Sequence, residues 1–362
     1  MANKLDEARN IINEVDSKMA ELFVERMKAA EMVFEYKKEF GLPILDTKRE
    51  VAVIEKNVAL IKENVMQGYY IDFIKNLMSL SRAYQHRLQN GLKVAYSGVE
   101  GAFAHIAAGR IFPDSNRISY RDFKSAYDSV VNGESDVAVL PIENSYAGEV
   151  GQTIDLLFSG GLFINGIYEL EIHQNLLGVP GATVEDIKKV TSHPQALGQC
   201  HDYLALRGFE IEEANNTAVA AKIVAQKKDK TLGAIASLET AEIYGLKVLE
   251  ANINKSGENT TRFAVLSKTR ANSPSLSNSV LMFTVKNEAG SLATAISIIG
   301  KYGYNMTALR SRPLKQHSWQ YYFYIEIDGT TDNENGRQMI AALNKVCDKL
   351  KIVGTYAPHN EI

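Results

Sequence analysis

Cysteine is almost missing from this chain. Cys200 and Cys347 are the only two, far apart in sequence, so no disulfide framework is available and a reducing compartment is expected. Long apolar runs are missing too. Nothing is hydrophobic enough to span a bilayer, and Met1-Ala2-Asn3-Lys4-Leu5-Asp6-Glu7 has no signal-peptide character. A cytoplasmic protein is the expectation, which makes Asn215-Asn216-Thr217 and Asn259-Thr260-Thr261 chance matches to the glycosylation pattern. Nor does one sign of charge dominate. Forty Lys plus Arg against 43 Asp plus Glu leave a net charge of −3, a global field that attracts neither nucleic acid nor an anionic membrane. Any anion must be caught by local charges. What is present is ordinary globular composition, 45% hydrophobic and 23% charged, over 362 residues, room for two or three domains.

Apolar residues first recur at helical spacing: Leu5, Ala8, Ile12, Val15, Met19, Leu22, then Ala29 and Val33. This predicts one helix about 50 Å long that stops at Gly41-Leu42-Pro43. Its length suggests bundle or coiled-coil packing. A second helix opens at Asp46 or Thr47, and a third carries Ile71, Ile74, Met78 and Leu88 before Gln89-Asn90-Gly91. Polar residues interrupt this pattern. Arg26 takes a seam position, and Lys37 follows eleven residues on, about three turns or 16 Å along the same face. One such arginine alone is more often snorkelling or ion-paired, but here a second cation shares its face. Ser81 and Gln85 replace core residues in the third helix, and Asp46, Arg49 and Glu50 share a face of the second. The plainer reading of Thr47-Lys48-Arg49-Glu50 is a capping box.

Beyond residue 91 the pattern changes. Lys93 to Ser97, Asp136 to Ile142, Lys189 to Ser192, Phe209 to Glu213, Leu232 to Ala236 and Arg262 to Leu266 read as strands, with helical patterns such as Ala218 to Gln226 between them. Such alternation implies an α/β sheet whose ligand loops lie where strands give way to helices. A polar link from Arg270 to Ser279, including Asn272 and Pro274, closes the region. After it come a strand (Val280 to Val285), a helix (Leu292 to Gly300), strands (Met306 to Ser311, Tyr321 to Ile327), a helix (Arg337 to Leu350) and a strand (Ile352 to Tyr356), the ferredoxin-like order.

At Arg9, Arg26, Lys37, Asp46, Arg49, Glu50, Ser81 and Gln85 the chain resembles the all-helical chorismate mutase family. That family catalyses a pericyclic rearrangement, for which a site needs no nucleophile. It holds a compact conformer and stabilises charge on the breaking ether oxygen. The resemblance implies that Arg9 and Arg26 bind the two carboxylates, Lys37 and Gln85 donate to the ether oxygen, and Glu50 with the Arg49 region orients the ring hydroxyl. Arg9 lies seventeen residues, about 26 Å, from Arg26 on one rigid rod. It cannot reach its own chain's site, so a catalytic Arg9 requires a second, antiparallel subunit.

Strand-end segments Gly98 to His105, Pro141 to Ser145, Ser192 to Gln195 with Gln199 and Cys200, and Asn259 to Phe263 each read singly as a polar turn or cap. Together, from about Lys93 to Ser267 and including Thr261-Arg262-Phe263, they resemble prephenate dehydratase. The resemblance implies two lobes, like those of periplasmic binding proteins, with the site between them. There Thr261 donates to the leaving hydroxyl, Asn144, Ser192 and Gln199 are its neighbours, and Arg262 supports a carboxylate beside Phe263. His105 and His193 are weak candidates as acids, since a histidine in a turn is more often structural. The C-terminal unit resembles an ACT regulatory domain, whose phenylalanine-binding segments read here Gly290-Ser291-Leu292 and Arg310-Ser311-Arg312-Pro313. Arg310 stands where that family has glutamate.

The expectation is therefore a multidomain enzyme: an all-α helical-bundle mutase (1–90), an α/β two-lobed dehydratase (91–270) and an α+β ferredoxin-like ACT domain (279–357). It would convert chorismate to prephenate and prephenate to phenylpyruvate, with phenylalanine as effector, as a homodimer or a tetramer, without metal or cofactor. Competing readings are a sensor of aromatic metabolites, a single retained activity, or arogenate as substrate.

Overall fold

The computed structural model describes residues 3–254, 259–271, 273, 275–314, 320–358 and 360–362. Asn272 and Pro274 of the polar link lie outside the described residues. The chain divides into two compact units, Met1–Leu92 and Lys93–Ile362. Among the described residues no helix is long and apolar enough to cross a membrane.

The first unit holds three helices, α1 (Lys4–Glu39), α2 (Thr47–Val58) and α3 (Asn64–Asn90). At 36 residues α1 is about 54 Å long. Only its C-terminal part has neighbours to pack against: Phe34 is its one buried residue, and Ile74 and Met78 are the buried apolar residues of α3. Leu5, Ile12, Val15, Met19 and Leu22 are all exposed, Leu22 by 61%. The periodic seam is thus real, but most of it faces nothing in its own chain.

The second unit begins with a lobe of β1 (Lys93–Ser97), α4 (Phe103–Ile111), β2 (Asn116–Tyr120), α5 (Phe123–Asn132), β3 (Val137–Asn144), β4 (Gly148–Glu149), α6 (Gly151–Ser159) and β5 (Phe163–Glu171). The chain then crosses into a second lobe: β6 (Asn175–Gly178), β7 (Lys189–Ser192), α7 (Pro194–Gln199), α8 (His201–Arg207), β8 (Glu210–Glu213), α9 (Thr217–Lys227), β9 (Leu232–Ala236), α10 (Leu238–Tyr244) and β10 (Lys247–Glu250). It returns to the first lobe as β11 (Thr260–Ser267), which inserts between β3 and β5. Strand β9 is buried at every position, the apolar pattern of a strand covered on both faces. Sequence reading misses β5 because Asn165-Gly166 mimics a turn. In the sheet this dipeptide lies opposite Val265 and Leu266, where the register shifts at a bulge.

The remaining elements are β12 (Asn278–Thr284), α11 (Ser291–Lys301), β13 (Asn305–Pro313), β14 (Tyr321–Asp328), α12 (Glu334–Leu343) and β15 (Lys349–Tyr356). Helix α12 is shorter than its apolar pattern predicts. Lys349 and Leu350 instead pair with Thr284 and Phe283 of β12. This module is continuous with the first lobe. Gly354 of β15 pairs with Ile164 of β5, where a Cβ would collide with the Ile164 carbonyl, and a ten-stranded sheet results. One apolar core joins Ala95, Leu140 and Ile154 of the lobe to Val280, Met282, Tyr322 and Val353 of the module. Helices α11 and α12 cover the module's other face through a separate core.

Candidate functional sites

A cavity of about 330 Å³ in the helical unit is lined by Arg26 and Lys37 of α1, Asp46, Arg49 and Glu50 around the start of α2, and Ser81, Arg82 and Gln85 of α3. Four of these side chains are cations and two are carboxylates, an excess suited to a dianion. Arg26 donates to Ser81 Oγ, and burial lowers its pKa from the usual arginine value. Lys37 Nζ donates to the carbonyl of Ile44, which holds the ammonium at the cavity with N–H groups to spare. Gln85 Nε2 donates to the Ala30 carbonyl at 2.7 Å, leaving its second hydrogen free to serve a ligand. Asp46 is the N-cap of α2, accepting from Arg49 N at 2.9 Å. The capping box read at Thr47 does not form, because the cap is one residue earlier and Glu50 is bound by Arg82. Sequence reading misses Arg82; its signal is its place four residues after Met78 and three before Gln85, on the helix face already in question. Arg9 is exposed and lies near Asp6 at 3.8 Å, apart from this cavity.

In the second unit a cavity of about 600 Å³ lies between the lobes and is lined by Asn144, Gln199, Thr261 and Phe263, with Gln174, His193, Gln195, Arg121 and the Gly98–Phe103 and Asn215–Thr217 turns. Register brings the polar core together: Thr261 of β11 pairs with Asn144 of β3. Asn144 Nδ2 donates to Thr261 Oγ1 and to Asn259 Oδ1, both at 2.9 Å. Gln174 Nε2 donates to Gln199 Oε1 at 3.2 Å. Asn259 Nδ2 and Gln174 Oε1 are buried without a protein partner. Such orphaned groups mark a place where water or a ligand is expected. His105 and His193 each accept a backbone N–H on Nδ1, from Gly101 and Gln195, at 3.2 Å. Burial lowers both pKa values below the ordinary histidine range.

Two expected site residues are elsewhere. Successive residues of a strand face opposite sides, so with Thr261 and Phe263 turned to the cleft, Arg262 points away. It is bound by Glu326 at 2.7 Å and Glu143 at 3.1 Å, beneath the C-terminal module. These bonds outweigh its desolvation and raise its pKa further. Arg262 therefore does not support a carboxylate in this cleft. Ser192 is fully buried and donates to the Ile235 carbonyl at 2.6 Å, a bond within the second lobe's sheet. Of the effector segments, Gly290 caps α11 with φ +85° ahead of Ser291 and Leu292, and Ser311–Pro313 end β13. Arg312 binds Asp155 at 2.9 Å, and also Glu149, both in the first lobe. The charge at Arg310 is met by Glu143 and Glu326.

Residues 8–86 match the family model of chorismate mutase type II and residues 94–271 that of prephenate dehydratase. A bifunctional chorismate mutase/prephenate dehydratase of Aquifex aeolicus (strain VF5) is 31% identical over 98% of this chain and 98% of its own length. Arogenate dehydratase 2 of Petunia hybrida is 33% identical, over 73% of this chain and 71% of its own. The crystal structure of prephenate dehydratase from Arthrobacter aurescens in complex with L-Phe superposes with a TM-score of 0.68 at 26% identity, covering 74% of this chain and 90% of that one. A helical unit with a cationic cavity, a two-lobed α/β unit with a polar cleft and a full-length relative of both activities lead to one conclusion: the chain belongs to the bifunctional chorismate mutase/prephenate dehydratase family, enzymes that rearrange chorismate to prephenate and then convert prephenate to phenylpyruvate.

Proposed function

We propose that the chorismate site is shared between two chains, with Arg26, Lys37, Asp46, Arg49, Glu50, Ser81 and Gln85 from one and Arg9 from the other. Arg26 and Arg9 hold the carboxylates, Lys37 and Gln85 stabilise the ether oxygen as its bond to carbon breaks, and Glu50 orients the ring hydroxyl. One observation carries this reading: these seven side chains, together with Arg82, line a single cavity, while Arg9 stands about 26 Å along the same rod. The exposed seam from Leu5 to Leu22 supports an antiparallel homodimer. In the second site Thr261 donates to the leaving hydroxyl as carbon dioxide departs, with Asn144 and Gln199 beside it and Phe263 against the ring. A threonine hydroxyl is so weak an acid that its role is a hydrogen bond more than a complete proton transfer. The modules are 1–90, 91–270 and 279–357. The last is an ACT domain that binds phenylalanine through Gly290, Ser291, Leu292, Ser311, Arg312 and Pro313, and that can pair dimers into tetramers.

Subunit mixing tests the shared site. Arg9→Ala and Lys37→Ala chains should each lack mutase activity, whereas an equilibrated equal mixture should recover about a quarter of the wild-type rate. Half of its dimers are mixed, and each mixed dimer has one intact site of two. No recovery, or full activity in Arg9→Ala alone, would sink the shared site.

A further inference from the structure

We infer that Gln195 is a positioning residue for the dehydration step, which fixes Thr261 as a hydrogen-bond donor by acting through Asn144. The inference rests on the reading of Thr261 given above. Asn144 has one tenable orientation. Its Oδ1 accepts from the backbone N–H groups of Tyr146 at 3.1 Å and Ala147 at 2.9 Å, so a flipped amide would set N–H against N–H. Its Nδ2 is therefore turned to β11. It donates to Thr261 Oγ1 and Asn259 Oδ1 at 2.9 Å, with a longer contact to the Thr260 carbonyl at 3.3 Å. A hydroxyl that accepts from Asn144 keeps its own proton for another acceptor, and Thr261 lines the cleft.

Gln195 completes this arrangement from across the cleft. Its Nε2 donates to Asn144 Oδ1 at 3.1 Å, the third donor on that oxygen. Each added donor polarises the amide and strengthens the bond its own N–H makes to Thr261. Asn144 and Thr261 belong to the first lobe; Gln195 belongs to α7 of the second, and its own N–H is held by the His193 cap. A bond between lobes is made when the lobes close and lost when they part. Closure over the substrate and the aiming of the Thr261 proton at the leaving hydroxyl are thereby one event.

Steady-state kinetics with prephenate on the full chain test this. Gln195→Ala should lower kcat roughly 10- to 100-fold, the usual cost of loosening a catalytic group's support, with KM unchanged. Gln195→Glu should be equally slow at neutral pH, where a carboxylate cannot donate. It should regain activity relative to wild type as pH falls through the carboxyl range of about 4 to 5. In the Thr261→Ala chain, adding Gln195→Ala should cost nothing more, because the support has lost what it supports. Wild-type kcat in Gln195→Ala, or additive losses in the double variant, would overturn the positioning role while leaving Thr261 as donor. Wild-type kcat in Thr261→Ala would remove the donor itself and the inference with it.

Discussion

At the scale of single residues, two histidines of the second unit respond to pH: His193 lines the cleft and His105 is buried in α4. His105 and His193 accept backbone N–H groups through Nδ1; a neutral ring can do this and an imidazolium cannot. Burial holds both pKa values below the unfolded value of about 6.5. Their contribution is therefore complete above that value and is lost as pH falls below it. Dehydratase kcat/KM follows the folded enzyme, so it should hold through about pH 6.5 and decline only at lower pH, where the depressed histidines protonate, while the mutase, whose cavity is lined by no histidine, keeps its rate. Parallel profiles with the two substrates check this, and equal decline in both would count against it. Legibility differed between the sites at this scale. Helical spacing alone decides which side chains share a face, so Arg26 and Lys37 could be paired from the sequence. In Thr261-Arg262-Phe263, alternation allows only alternate residues into the cleft, but which ones depends on the neighbouring strands. Arg262 was assigned to the wrong side for that reason. Ser192 was misread because a serine at a strand end looks the same whether it faces ligand or, as here, a neighbouring carbonyl.

Elements show where local rules act and where packing overrides them. Helix α2 starts at Asp46, which accepts from Arg49 N and also lines the cavity. Asp46→Ala should cost the helical unit about 1 kcal/mol through the lost cap, and Asp46→Asn only a fraction of that, since asparagine caps nearly as well. Thermal unfolding followed by circular dichroism measures both, and equal losses would discount the cap. The long helix α1 was readable because its period persists over 36 residues. Which part finds a partner was not, since burial of Phe34 depends on tertiary neighbours that a period does not name, and the Leu5 to Leu22 seam finds no cover in its own chain. Strand β5 was hidden by a turn-like dipeptide that only its bulged partner explains.

The whole molecule combines two units of different construction. Its C-terminal module shares a core and a sheet with the first dehydratase lobe. Glu326, only 2% exposed, accepts from Arg262, Tyr324 and Tyr356. Its partner Arg262 lies next to Thr261 in sequence. A change of state in the module therefore has a short physical route to the dehydratase strands. Phenylalanine at millimolar concentration should slow prephenate turnover and alter sedimentation of the protein. The absence of both responses would exclude the effector reading. None of this continuity was visible in the sequence, where a polar link suggested a separate domain; one glycine, Gly354, admits the close approach that joins the two sheets.

If the two reactions run in series on separate sets of side chains, Lys37→Ala and Thr261→Ala should each stop a different step. Chorismate is supplied to each variant while chorismate loss and phenylpyruvate formation are followed separately. Lys37→Ala should lose about 10²- to 10³-fold in chorismate consumption, the cost of removing one transition-state donor, yet still turn added prephenate into phenylpyruvate. Thr261→Ala should consume chorismate at the wild-type rate and accumulate prephenate. Wild-type phenylpyruvate formation from chorismate by either variant would mean that the two reactions do not depend on these two side chains.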